Sequence, residues 1–271
     1  MPPITGDPSP HGLLGGCVPV VTTSDLHELN GTDLMSGACG PVGQWQDCPT
    51  GTWVNPEDGK VFNRPVTCTF EPVTAYAGIE CSTFGLTQAE AETHALDALR
   101  MGEQFALEDF FMRNFLCTNA VDLTPDDATG ALHVAQGFGL LETWLATAYG
   151  GTGVIHVPVG AAGLFATHGL TCDCADCPRT LMGNGVVLGA GYAANLGPGG
   201  DGACVEPAPG EAWLYATPPM RIRRDAPSVV PSGERGSINT RTNDRRVLAE
   251  STFVAEVACC MAAAVRVSLA T

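Results

Sequence analysis

Positive charge is scarce in this sequence. Its 271 residues include 29 acidic side chains but only 13 basic ones, which gives a formal net charge of −16. Because an acidic surface repels the phosphates of DNA and RNA, we do not expect sequence-specific nucleic-acid binding as the main function. The charge instead suits a surface that lies near nucleic acid without retaining it.

Long apolar runs and a targeting segment are also missing. No stretch reaches the roughly 18 to 20 consecutive apolar residues of a membrane span, and the first four residues show neither the basic region nor the apolar core of a secretory signal. With 45% hydrophobic residues, the chain can bury a sizeable core as one elaborate domain or two closely packed ones. We therefore expect a protein of the cytoplasm with no membrane contact.

Catalytic motifs are absent as well. The sequence has no Gly-x-Ser-x-Gly, no phosphate-binding loop and no dinucleotide fingerprint. An enzyme would have to use His156 or His168 as a base, with Cys172 or Cys177 as the nucleophile. Since a lone histidine in a strand is more often a satisfied core residue, we predict a protein without catalytic residues and without a cofactor.

A long helix is the clearest local pattern that is present. Thr87 and Glu90 have the spacing of a capping box, which predicts a helix start at this point. The periodicity then predicts a helix to about residue 115, with Gly102 and Phe105 among the buried positions and Gln104 on the solvent side. A helix of this length typically forms the backbone of an elongated domain.

Alternating helices and strands follow. Apolar spacing predicts a helix over 128–148, while β-branched and apolar runs predict short strands and a second helix after it. The predicted ranges are a strand at 153–158, a helix at 161–167, strands at 185–192 and 212–217, and two C-terminal strands at 252–260 and 263–269. The fold class is therefore α+β.

Residues 33–64 form a long excursion with no core pattern. They are rich in Gly, Pro, Asp and Thr and carry Trp45 and Trp53. A two-stranded ribbon with a turn at 55–59 fits this composition. Such a loop is uncommon in a compact domain and favours contact with another chain, which would bury the aromatic side chains. The alternative is a mobile surface loop.

The twelve cysteines are numerous for a cytoplasmic chain. A chain this long needs no disulfide scaffold, so five of them are predicted to be small buried hydrophobes: Cys68, Cys81, Cys117, Cys259 and Cys260. His168, Cys172, Cys174 and Cys177 form a weak candidate zinc site, because thiolates and imidazole are preferred zinc ligands. The spacing is imperfect, and free thiols or a disulfide, for example to Cys204, are the favoured alternatives.

Most of the positive charge is grouped late in the chain. Arg221–Arg224 and a second group, Arg235, Arg241, Arg245 and Arg246, precede the C-terminal strands. On an acidic protein such clusters suit ion pairs between subunits, and a solvated loop is the equal alternative.

The order of these parts resembles the major capsid proteins of tailed bacteriophages, whose Hong Kong 97-like fold encapsulins share. The resemblance rests on 153–158 with the helix after it, on 185–192, and on 243–251 with 264–267. It implies an N-terminal arm (1–32), an extended loop (33–65), a peripheral domain with a spine helix (66–118) and an axial domain (119–236). Residues 237–271 would return as strands to the peripheral domain.

The resemblance also implies a function. The chain would self-assemble, as pentamers and hexamers, into an icosahedral shell that encloses double-stranded DNA in a virion, assembled in the host cytoplasm. Scaffolding, portal or decoration proteins are the implied partners. Alternatives are a minor capsid, vertex or head-to-tail protein, an encapsulin-like compartment shell, or a zinc-binding protein. Lys60 is the only lysine, so the covalent crosslink of some family members is not predicted.

Contacts between subunits are expected at five residues on this reading. Trp45 and Trp53 lie in the extended loop, and Cys39, Cys48 and Cys204 are candidates for contacts or disulfides between copies.

Overall fold

The computed structural model describes residues 6–37, 39, 64–125, 130–172, 177–199 and 202–270. The helices are α1 (Leu26–Leu29), α2 (Gln88–Phe111), α3 (Cys117–Asn119), α4 (Val134–Trp144), α5 (Ala162–Thr167) and α6 (Glu234–Ser237). The strands are β1 (Val20–Thr22), β2 (Thr32–Ser36), β3 (Val66–Phe70), β4 (Pro72–Ser82), β5 (Ala120–Asp122), β6 (Val154–Pro158), β7 (Gly185–Gly189), β8 (Gly197–Pro198), β9 (Cys204–Val205), β10 (Glu211–Thr217), β11 (Met220–Arg224), β12 (Ser228–Val230), β13 (Ile238–Asn239), β14 (Asp244–Val257) and β15 (Ala262–Ser268). Trp45, Cys48, Trp53 and Lys60, with the predicted turn at 55–59, lie outside the described residues.

The long helix α2 begins where the capping box predicts. The Thr87 hydroxyl accepts from the Glu90 amide at 3.2 Å, and the Glu90 carboxylate accepts from the Thr87 amide at 2.9 Å. The helix then passes through a π-helical turn, Met112–Leu116, into α3, so the predicted end near residue 115 falls within this continuation. No helix in the described parts of the chain is long and apolar enough to cross a bilayer.

The predicted faces of α2 are wrong in its second half. Phe105 is 51% exposed and Gly102 is exposed, whereas Glu103 and Gln104 are buried. The reason is that polar groups of other segments reach this part of the helix, so burial here follows hydrogen bonding rather than apolarity.

The first sheet has β14 at its centre. β4 runs antiparallel along β14 from Asp244 to Val254, and β11, β12 and β13 pair with its opposite edge. The apolar side chains of Val247, Ala249 and Phe253 join α2 in one core. The sequence analysis did not predict β4, and it placed the start of β14 too late.

The second sheet has the order β5-β15-β10-β6-β7 and confirms most of the predicted strands. Helix α4 packs on it and forms a separate core with α5 and the inner faces of β10 and β15. Gly137 allows this close approach, since a Cβ there would lie 2.5 Å from the Val267 side chain.

The two C-terminal strands belong to different sheets. β14 lies in the first sheet, which shares its core with α2. β15 pairs with β10 in the second sheet from Ala263 to Ser268 and buries Val265 and Val267 in the second core. The chain therefore crosses between the sheets at 258–261.

Candidate functional site

Residues 6–22, which belong to the predicted N-terminal arm (1–32), lie on α2 and join both sheets. From here on, the arm means residues 6–22. The Gln104 side chain accepts from the Leu14 amide at 3.2 Å and donates to the Ser9 carbonyl at 3.2 Å. Further along, β1 pairs with β11 of the first sheet, and the Leu188 amide of the second sheet donates to the His11 carbonyl at 2.7 Å. The arm is therefore a structural bridge and not a free extension.

A buried carboxylate holds the arm in place. Glu108 of α2 is fully buried, and its two oxygens accept from the Leu13 amide at 2.9 Å and the Gly191 amide at 2.8 Å. Burial raises the pKa of Glu108, although the backbone hydrogen bonds oppose this shift. A Cβ on Gly191 would lie 2.4 Å from the Phe105 carbonyl, so this turn requires glycine to reach the carboxylate.

The arginines of β11 form ion pairs within the chain. Arg224 donates two hydrogen bonds of 2.9 Å to the Glu103 carboxylate. Arg221 and Arg223 both pair with Glu256, which is 2% exposed. The prediction of intersubunit pairs or a solvated loop is therefore wrong for Arg221–Arg224, because these residues form a strand whose side chains neutralise buried carboxylates.

The four arginines of the second group differ in how deeply they are buried. Arg245 is 4% exposed and donates to the Leu86 carbonyl at 3.0 Å and to Glu234 at 3.1 Å. Arg246 pairs at the surface with Glu80, and Arg235 and Arg241 are exposed. A solvated position therefore fits the exposed members of this group, while Arg245 fixes the start of α2.

Among the described residues, four disulfides connect distant parts of the chain. Their Cα–Cα distances of 5.2–5.7 Å lie within the usual range for such bonds. The pairs are Cys17–Cys177, Cys39–Cys259, Cys68–Cys260 and Cys117–Cys204. The prediction of small buried hydrophobes is confirmed in burial for Cys68, Cys117 and Cys259, but these three and Cys260 are disulfide-bonded, and among the described cysteines only Cys81 is a free thiol. Periodicity marks these residues as buried but carries no information about pairing.

Two intersubunit disulfide hypotheses are corrected by these pairs. Cys39 bonds to Cys259 and Cys204 bonds to Cys117, both within one chain. Cys204 also does not pair with the 172–177 cluster, since its loop lies beside α3 through β9.

The candidate zinc site is contradicted as well. Cys177 bonds to Cys17, and Cys172 is also in a disulfide, so neither supplies a thiolate. Cys174 lies outside the described residues, and His168 stacks edge-on against His133 with ring centroids 4.7 Å apart. Within the described ranges, no group of three or more His, Cys, Asp or Glu side chains could hold a metal ion.

His156 is a core residue, as the sequence analysis favoured. It is fully buried, with Nδ1 2.9 Å from the Tyr192 hydroxyl and Nε2 3.0 Å from the Thr217 hydroxyl. Burial lowers the pKa of His156 to about 3. Because the histidine is sealed from solvent and Cys172 and Cys177 are disulfide-bonded, the considered base and nucleophile do not form a reactive pair.

Several large apolar side chains are exposed. Two of them are adjacent, Leu181 (94% exposed) and Met182 (64% exposed), in a turn at 180–184 that we call the tip. The Asn184 amide and the Thr180 hydroxyl close this turn at 3.2 Å. Sequence reasoning missed the tip, although two large apolar residues between Thr180 and Gly183 could have indicated it. Adjacent exposed apolar residues on a closed turn are typical of a contact surface.

Comparisons with known proteins give matches of structure alone. No protein-family model and no curated protein sequence matches the chain. The capsid of a native GTA particle is 13% identical, with 99% of this chain and 95% of that chain covered and a TM-score of 0.53. A virus-like particle from Pyrococcus furiosus is 8% identical, with 93% and 91% covered and a TM-score of 0.54. A chain of Gordonia phage Cozz is 13% identical over 96% and 87%, with a TM-score of 0.46. The first two matches confirm the predicted capsid fold.

Proposed function

We propose that this chain, with a capsid fold over almost its whole length, is a major capsid protein that self-assembles into a closed shell around double-stranded DNA. The observation that carries the proposal is the match to the native GTA capsid over 99% of this chain and 95% of that one. Fold alone does not define function, so the exposed surfaces and the charge have to agree with it.

Both properties support a shell. The tip exposes Leu181 and Met182, which a neighbouring copy would cover. The net charge of −16 suits a wall that encloses DNA without binding it. On this proposal residues 119–236 form the axial domain around pentamer and hexamer axes, and 33–65 form the loop that reaches a neighbour. The virion is then the site of function, and scaffolding, portal or decoration proteins are the expected partners.

Light scattering on a size-exclusion column, followed by negative-stain imaging, tests this proposal. We expect the wild-type chain to form closed particles, or rings of five or six copies. The double variant Leu181→Asp with Met182→Asp should remain a 28.1 kDa monomer, because charge at the tip prevents its burial. Its melting temperature should be unchanged, since both side chains are exposed in the single chain.

A matched control separates apolarity from side-chain identity. Leu181→Met with Met182→Leu exchanges the two residues and should assemble normally. A wild-type chain that stays monomeric at high concentration with a crowding polymer contradicts the proposal, whereas normal assembly of the aspartate variant contradicts only the role of the tip in it.

A compartment shell that encloses protein instead of DNA is the second candidate. The match to the Pyrococcus furiosus virus-like particle, with a TM-score of 0.54, favours keeping it. Particles isolated from the native source distinguish the two functions by ultraviolet absorbance and gel analysis. DNA protected from nuclease supports the capsid, whereas a stoichiometric second protein without DNA supports the compartment.

A further inference from the structure

The link between the two sheets has an uncommon backbone. Between β14 and β15 the chain makes a short turn in which Cys259 has φ 64° and Cys260 has φ 52°. Residues other than glycine enter this left-handed region at a cost in free energy, and two in succession are rarer still. Something outside the link must therefore hold it in this conformation.

Two disulfides join this link to both strands of the β2–β3 hairpin, which we call the stem. Cys259 bonds to Cys39, which follows β2, and Cys260 bonds to Cys68 within β3. The Cys259 amide also donates to the Ser36 hydroxyl at 2.9 Å. The stem is thus tied to the point at which the chain passes from one sheet to the other.

The end of the stem next to β4 packs into the first core. At the end next to β4, Phe70 is 4% exposed and packs against Phe115 with ring centroids 5.6 Å apart. At the other end, Met35 is 69% exposed and Val66 is 39% exposed. The disulfides lie toward this end, beside the hydrogen bond between Cys259 and Ser36. Their loss would leave that hydrogen bond and the packing of Phe70 to hold the stem.

We propose that Cys39–Cys259 and Cys68–Cys260 form a redox-operated clamp that sets the direction of the stem relative to the two sheets. When each bond forms, two thiols lose two protons and two electrons to a small-molecule disulfide such as oxidised glutathione, which becomes two thiols. Reduction by a small thiol reverses the step and lets both the stem and the link relax.

Solvent access and the closeness of the two bonds favour thiol–disulfide exchange at this clamp. Cys39 and Cys260 are partly exposed, so each bond includes one residue that lies in part at the surface. Cys259 and Cys260 are adjacent, so a thiol released from one bond lies next to the other bond. The proposal concerns the chain itself and does not rest on shell formation.

Hydrogen exchange measured by mass spectrometry tests the clamp on the full chain. We compare protein held in oxidised glutathione with protein held in reduced glutathione. On reduction, exchange at 32–36, 66–70 and 258–262 should accelerate by at least about tenfold, while exchange in α4 and β6 stays constant. Disulfide mapping of the oxidised protein should find both clamp bonds.

Variants separate the clamp from general loss of disulfides. A fourfold variant should give fast stem exchange under both conditions: Cys39→Ser, Cys68→Ser, Cys259→Ser and Cys260→Ser. Cys117→Ser with Cys204→Ser removes a bond that involves neither the stem nor the link and should leave stem exchange redox-sensitive, as in the wild type. If the fourfold variant does not fold, the wild-type comparison decides alone. Equal stem exchange in the oxidised and reduced wild type overturns the proposal, as does mapping that joins Cys39 or Cys68 to other cysteines.

Discussion

Replacement of Glu108 by alanine should lower the free energy of unfolding by about 3 kcal/mol, because it leaves two buried backbone amides without an acceptor. Those amides belong to Leu13 and Gly191, so the arm and the turn after β7 should loosen together. Urea denaturation measures the energy, and hydrogen exchange at these two amides shows where the loss occurs.

The pH dependence of this variant follows from the buried carboxyl. Burial raises the pKa of Glu108 above its ordinary 4.5, so the folded wild type takes up a proton at a higher pH than the unfolded chain does. The stability that Glu108 contributes is therefore present below pH 4.5 and falls as pH rises from 4.5 through the raised pKa of the folded state. The cost of Glu108→Ala should accordingly be larger below pH 4.5 than above this raised pKa.

The adjacent residue supplies a control for Glu108. Asp109 pairs with Arg113 one turn along the exposed side of α2. Its replacement by alanine should cost much less, because exposed ion pairs contribute little to stability. If Glu108→Ala costs no more than this control, or leaves Leu13 exchange unchanged, the arm is not held by the carboxylate.

Acid should destabilise the protein through His156. The pKa of this histidine falls from 6.5 to about 3 on folding, because it is buried. The free energy of unfolding that depends on neutral His156 is fully present above pH 6.5. It is lost at about 1.4 kcal/mol per pH unit as pH falls from 6.5 toward 3. Between pH 6.5 and 4.5 the loss should approach about 3 kcal/mol.

His156→Gln isolates this effect from the other titrating groups. Glutamine retains a donor and an acceptor for Tyr192 and Thr217 but does not titrate in this range. The variant should be less stable than the wild type at pH 7 and should lose less stability on acidification. Parallel stability curves for the two proteins would show that His156 does not carry the acid sensitivity.

The sequence predicted most of the fold because its signals are local. The Thr87 capping box fixed the start of α2, and short apolar runs identified β6, β7 and β10. β4 could also have been found, since Val73, Ala75, Ala77 and Ile79 alternate with polar or small residues. These elements depend on neighbours in the chain, and a pattern within ten residues is enough to indicate them.

The contacts that hold the parts together were not predictable in the same way. Glu103, Gln104 and Glu108 look like solvent-facing positions, but partners about 80 to 120 residues away bury them. The disulfides likewise join cysteines separated by 87 to 220 residues. Such pairings depend on the completed topology, which composition and periodicity do not encode.

The positions of β14 and β15 also restrict how the protein can be made. β14 lies between β4 and β11, and β15 lies between β5 and β10, so each sheet receives an interior strand from residues 244–268. Neither sheet can close while these residues are still inside the ribosome. Both cores of a nascent chain therefore remain incomplete until residues 244–268 have left the ribosome, and both sheets then complete within the same short interval.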